Sequence, residues 1–294
     1  MIKIDRKILI FALISALLVT LSGFVPIIGL GLPIYLAIRL YQFDKKGPIF
    51  LAISFILSSL IDLSLSLGLF LPMAIFSYIM AFLIKKDIDD KKALYILWLI
   101  IAISSLGLIF YVFQKGLIDI ESITNYFIRE FKNGGLDINE DIIKLSLSTI
   151  PAFLLIMDFI YALIILKLTR NYLNYKDEKI RDLMPINRLR ISIKDFFIIL
   201  LVLILLGIFA YFKGFSIVVI RANIQSFIMS LLQINGLFLI DFFLERKSSK
   251  TMRIVNWILI FFLFALISKI LSAIGLVDLI LNLRKKVRRK WKKN

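Results

Sequence analysis

Residues 93–113 read ALYILWLIIAISSLGLIFYVF, a run of 21 residues without a charge, entered from the charged stretch KKDIDDKK at 85–92. A helix rises 1.5 Å per residue, so this run covers ~32 Å, close to the ~30 Å of a bilayer's hydrocarbon core. A helix also satisfies its own backbone N–H and C=O groups, which hydrocarbon requires. The segment reads as a membrane span and sets the scale for its neighbours.

The composition agrees. Of 294 residues, 60% are hydrophobic and 19% charged, against about half and about a quarter in a soluble domain. The charges cluster in short polar stretches between long apolar runs. There is no His and no Cys. That excludes zinc sites built on those ligands and Ser-His or Cys-His nucleophiles, and no cofactor or metal site is expected. The net charge of +17 is read as cytoplasmic loops and anionic headgroups rather than nucleic acid, because Lys and Arg gather on the inner side of membrane proteins.

Toward the N-terminus, Pro48–Ile84 carries one charge, Asp62, and is too long for one span. Gly68 and Pro72 mark its expected turn. The uncharged run Ile8–Ile38 would measure ~46 Å as one helix. With Gly23, Pro26, Gly29, Gly31 and Pro33 inside it, it divides into spans at about 8–24 and 26–40, one long kinked helix being the alternative. It is about twice the ~7–15-residue core of a signal peptide and is expected to stay in the mature chain.

Toward the C-terminus, residues 114–144 are rich in Asp and Glu, with an amphipathic helix expected over 118–131 and ended by Asn133-Gly134-Gly135. Leu145–Leu166 is a span interrupted by Asp158, and Lys167–Asp195 is strongly basic. Phe196–Phe212 and Ala222–Leu244 are further spans. Ile254–Leu283 is apolar apart from Lys269 and Asp278, and a tail carrying eight Lys and Arg residues follows. Folding 254–283 as a hairpin or re-entrant pair, turning near Lys269–Gly275, keeps that tail cytoplasmic, as the positive-inside rule favours. The expected fold is an all-α integral membrane protein, a polytopic helix bundle of 8–10 spans with both termini cytoplasmic. It divides into a six-span unit (1–170), a cytoplasmic basic loop (171–195), C-terminal membrane helices (196–283) and a basic cytoplasmic tail (284–294).

Ionisable groups inside spans are costly and are candidates for function. Asp158 lies well inside its span and is a candidate cation or proton relay, or counter-ion to a solute; the alternative is an interhelical hydrogen bond or salt bridge. Asp62 stands among Ser58, Ser59 and Ser64. Arg221 and Asp241 fall toward opposite ends of one span, where the arginine can snorkel. Asn223, Gln225, Gln233 and Asn235 put four amides on that same span, as packing glue or as part of a polar solute site. Ala12 and Ala16 form a small-xxx-small pair suited to close helix approach.

The chain resembles the YybS-like family of bacterial multi-pass membrane proteins. The resemblance rests on Pro26 and Pro33 with Gly29 and Gly31 between them, on Met184-Pro185 through Leu189-Arg190, and on Asn223–Gln233 followed by Gly236 and Glu245-Arg246. It also rests on Gly275-Leu276-Val277-Asp278 with Asn282, Arg284 and Lys285. The first six spans are similar to the substrate-binding S components of energy-coupling-factor transporters, which dock on a coupling subunit through A-x-x-x-A, matched here by Ala12 and Ala16. The block after Asp195 has no counterpart in ordinary S components. The resemblance implies a non-enzymatic solute-binding or transport component of a bacterial cell membrane; the charges and amides within the spans offer it a candidate polar core in Asp158, Asp62, Arg221, Asn223 and Gln233. It also implies a C-terminal motif of Asp278, Asn282 and Arg284. Expected partners are the lipid bilayer, a small-molecule solute, and a membrane or cytoplasmic protein. A scaffold that recruits such a protein through the basic loops and tail is the second expectation.

Overall fold

In the computed structural model, which describes residues 5–115, 120–135, 139–176, 180 and 184–285, the regular structure is all helical. The helices are α1 (Arg6–Phe24), α2 (Pro26–Phe43), α3 (Gly47–Ile61), α4 (Leu63–Leu65), α5 (Leu71–Lys85), α6 (Asp90–Gln114) and α7 (Ile120–Asn133). They continue as α8 (Glu140–Ser148), α9 (Ile150–Tyr175), α10 (Ile193–Phe212), α11 (Ile217–Lys247), α12 (Lys250–Phe262) and α13 (Phe264–Leu281). Among the described residues eight helical stretches are long and apolar enough to cross a membrane, with Pro26–Ile61 counted as one of them. That stretch is divided by Asp44, whose φ of 47° breaks it into α2 and α3.

The chain forms two units, residues 1–107 with 157–183, and residues 108–156 with 184–294. This division departs from the boundary at 171–195 drawn from charge. Residues 108–156 group with the C-terminal helices, and Arg284, the first residue of the basic tail drawn from sequence, is buried.

In the first unit α1, α2, α3 and α5 pack around a core that includes Ile8, Ala12, Leu36, Phe50 and Phe70. The break at Gly23–Pro26 is where the sequence puts it: α1 ends at Phe24, and Pro26 opens α2, where a missing N–H costs no helical bond. The next turn is not. It falls at Asp62, whose extended backbone (φ −150°, ψ 108°) ends α3 and caps the next helix. Gly68 lies in a π-helical turn at Ser66–Phe70, and Pro72 follows as α5 begins. A π turn shifts the hydrogen-bond register, which accommodates a proline without ending the helix. Serines join these helices: Ser15 Oγ donates to Ser54 Oγ (2.7 Å), Ser66 Oγ to Ser58 Oγ (2.9 Å) and Ser77 Oγ to the Pro33 carbonyl (3.2 Å).

In the second unit, Asn133, Gly134 and Gly135 (φ 76°) close the expected amphipathic helix, which runs over 120–133; residues 118 and 119 lie outside the described residues. Gly207 of α10 faces Ile220 and Ile224 of α11. α11 and α13 meet backbone to backbone at Gly236 and Gly275. A Cβ at either glycine would collide with a carbonyl oxygen, of Leu271 or of Leu232 respectively. The pairs Met229–Ser272 and Gly236–Gly275 advance together, so the two helices run in the same direction.

The chain must therefore return between them. α12 makes that return, held to Asp241 of α11 by Arg253 and Trp257. Its 13 residues cover ~20 Å, short of a full crossing. The break comes at Leu263; the turn expected at Lys269–Gly275 is helical instead, because Leu271, Ser272 and Gly275 form the buried face against α11. Lys269 is an exposed residue of α13. The return still brings Arg284 level with Asn187 and Leu189, as a hairpin or re-entrant pair would.

Substituting Gly275→Ala or Gly236→Ala forces two backbones apart with no flexible side chain to yield. Overpacking of this kind costs ~1–3 kcal/mol, so the midpoint of thermal unfolding in detergent, followed by circular dichroism, should fall by several degrees. Gly31→Ala, where an added Cβ meets nothing within 4 Å, should leave it unchanged.

Candidate functional site

Among the described residues four acids within the helices are buried: Asp90, Asp158, Asp241 and Asp278. A charge taken out of water must be paired or hydrogen-bonded to persist, and three of the four meet arginine. Asp90 opens α6 and pairs with Arg170 near the end of α9; both side chains are 1% exposed, and Arg170 also donates to the Ile88 carbonyl at 3.2 Å. Asp241 accepts from Arg253 Nε at 2.7 Å and Nη2 at 2.5 Å, and from Trp257 Nε1 at 2.7 Å. Asp278 lies 3.2 Å from Arg284 and 3.7 Å from Arg190.

Asp158 differs. It is 9% exposed and sits eight residues into α9, ~12 Å from the helix start. Its Oδ2 accepts a 2.5 Å hydrogen bond from Ser105 Oγ of α6, and no cation of the described residues forms an ion pair with it. Phe159 packs edge-on against Trp98 of α6, and the Tyr161 hydroxyl donates to the Leu30 carbonyl of α2 at 2.9 Å. α6 and α9 are thus joined by aromatic packing, by the Asp90–Arg170 pair and by the Ser105–Asp158 bond. Of these groups, Asp158 alone lacks a protein counter-charge.

The sequence matches, over residues 8–279, a family described as a predicted membrane protein (DUF2232). The chain belongs to this family. No curated protein and no solved structure matches it. The matched region includes Asp158 and Asp278 and ends before Asn282 and Arg284.

The C-terminal motif is brought together. Asp278 is fully buried, and its Oδ1 accepts the Leu283 N–H at 3.2 Å. Asn282 takes the left-handed conformation (φ 49°, ψ 57°) that ends α13, its N–H returning to the Asp278 carbonyl, a position asparagine tolerates well. The turn sends Arg284 inward, where it donates to the carbonyls of Asn187, Leu189 and Asn235. Arg190 donates to the Asp278 and Leu279 carbonyls. Asn187 donates to Glu245 at 2.6 Å, and Asn235 to the Gly275 carbonyl at 2.9 Å. These contacts fasten the 187–191 segment to α11 and α13.

The remaining candidates are dispersed. Asp62 is half-buried and caps α4. The Leu65 N–H and the Ser64 hydroxyl hold its carboxyl below the usual carboxylate range. Asn223 clasps the α8–α9 junction, donating to the Ser148 carbonyl (2.7 Å) and accepting the Ala152 N–H (3.0 Å). Gln233 is partly buried and makes no hydrogen bond among the described residues. Arg221 is exposed on α11. Ala12 and Ala16 are fully buried within the first unit, where this pair packs against the chain's own helices. Among the described residues no cluster of His, Cys, Asp or Glu suits a metal.

Asn187, Ser105 and the Asp90–Arg170 pair were not singled out from sequence, whereas Asn235 is one of the four amides named there and acts as packing glue. Arg170 counts there only toward loop charge, and Arg190 only as the end of the Met184–Arg190 motif. Asn235 stands beside Gly236, the nearest thing to a local signal, since a small residue lets an adjacent amide reach a neighbouring backbone.

Removing one partner of a buried ion pair costs ~3–5 kcal/mol, because the other charge is stranded. Arg170→Met should therefore destabilise the fold severely, and Asp90→Asn similarly. The double variant should lose much less than the sum of the two, by urea unfolding in detergent.

Proposed function

We propose that the protein is a solute-binding or transport component of a bacterial cell membrane, without a catalytic step of its own, in which Asp158 anchors a cationic group of the solute. What supports this is the contrast among the buried acids. Asp90, Asp241 and Asp278 are each answered by arginine, while Asp158 has a neutral hydroxyl. Ionisable groups held within membrane helices mark solute and ion pathways, and Ser105 would orient the carboxylate toward its ligand. The reading stands on Asp158 rather than on likeness to S components. Tests are the thermal shift of purified protein with choline, putrescine and spermidine, and mass spectrometry of solutes that co-purify. Wild type should be stabilised by several degrees by at least one cation or should carry a cationic solute, and Asp158→Asn should abolish both at unchanged helicity. Wild type without any such stabilisation or solute would overturn the assignment.

A second reading, a membrane scaffold, is favoured by α10. Only 6% of its apolar window is buried, against 22–56% for the other candidate spans, and Phe197, Leu201, Leu205 and Phe209 are exposed along it. That face suits packing against another membrane helix. Recovery of the same membrane protein by crosslinking from residue 201 in intact cells would support the scaffold; recovery of lipid alone would set it aside.

A further inference from the structure

α11 carries a stripe that neither reading uses. Ile217, Ile220, Ile224 and Ile228, with Arg221 and Gln225, line an open groove of roughly 450 Å³. The spacing of three and four residues puts them on one helix face. With Met229 completing it, the wall is apolar except for one guanidinium and one amide, and these stand four residues apart. Neither makes a hydrogen bond or ion pair among the described residues. Between Phe196 and Ile240 the only charged residues are Lys213 and Arg221, so no acid of this hairpin balances the arginine.

The depth of each group fits an amphiphile. Arg221 is the fifth residue of α11, ~6 Å from its start, and Ile224 and Ile228 lie ~4.5 and ~10 Å farther along. A charged head at Arg221 would sit near the helix end, where a membrane's headgroups lie, and an acyl chain would follow the isoleucines toward the hydrocarbon. Arginine presents a planar fork that binds a phosphate oxygen pair, and Gln225 adds an amide donor one turn deeper. We infer that this groove is a binding site for an anionic phospholipid, with the phosphodiester on Arg221 and Gln225 and one acyl chain along Ile220, Ile224 and Ile228.

The test uses the full chain in detergent with equal amounts of phosphatidylglycerol and phosphatidylcholine of the same acyl chains, and counts retained lipids by native mass spectrometry. Wild type should prefer phosphatidylglycerol by about fivefold, the preference one well-placed cation supplies. Arg221→Gln should bring the ratio close to one. The guanidinium is exposed and bonds to nothing among the described residues, so the substitution should leave helicity intact. Ile228→Trp, which fills the acyl track and keeps the arginine, should reduce retention of both lipids. Because the chain carries +17, Lys250→Gln at an exposed position of α12 serves as the control and should change nothing. The proposal fails if Lys250→Gln lowers the preference as much as Arg221→Gln, or if Arg221→Gln keeps it. It also fails if excess inorganic phosphate strips the bound lipid while Ile228→Trp has no effect, which would mark a bare anion site.

Discussion

An ionised carboxylate cannot stand alone in a protein whose outer surface meets hydrocarbon, and the arginines that answer its carboxylates organise this chain. Arg170 reaches back 80 residues to Asp90, and Arg190 reaches 88 residues forward to the Asp278 backbone. Arg284 then closes the same knot onto Asn187, Leu189 and Asn235. Each contact answers a charge held in the apolar interior and, in the same act, fixes two distant segments together. Such pairs do not have to add net stability to matter. Once both charges are buried, neither can be released without stranding the other.

Close approach of backbones is the condition that lets these polar groups meet. Between helices in lipid there is little hydrophobic driving force, so packing and interhelical hydrogen bonds must serve. Gly236 and Gly275 bring two backbones into contact, and beside them Asn235 reaches the Gly275 carbonyl and receives the Ile191 N–H. Serine plays the equivalent part in the first unit, where Ser15 meets Ser54 and Ser58 meets Ser66. Ala12 and Ala16, on the buried side of α1, belong to the same economy of small residues.

Against that background Asp158 is the exception that invites function. It is buried, though less completely than the paired acids, and the group that meets it is a neutral hydroxyl. Asn223 shows the opposite outcome. An amide that the sequence offers as a polar candidate joins the end of α8 to the first turn of α9, taking one of the N–H groups a helix start leaves unsatisfied.

Hydropathy and charge along the chain by themselves determined that this is a multi-span helical membrane protein, because a span is a local property: some twenty apolar residues must bury their own backbone polar groups. They located the break at Pro26, where a proline ring and a glycine act on the chain next to them, and the glycine stop of α7 at Gly134–Gly135. Only the tertiary structure decided that Asp62 makes the turn expected at Gly68–Pro72, and that the chain breaks at Leu263 rather than at Lys269–Gly275. It also decided which acids are neutralised and which one is not. Those outcomes depend on groups far apart in sequence arriving within a few ångströms, and a one-dimensional pattern holds no information about which arginine will reach which aspartate.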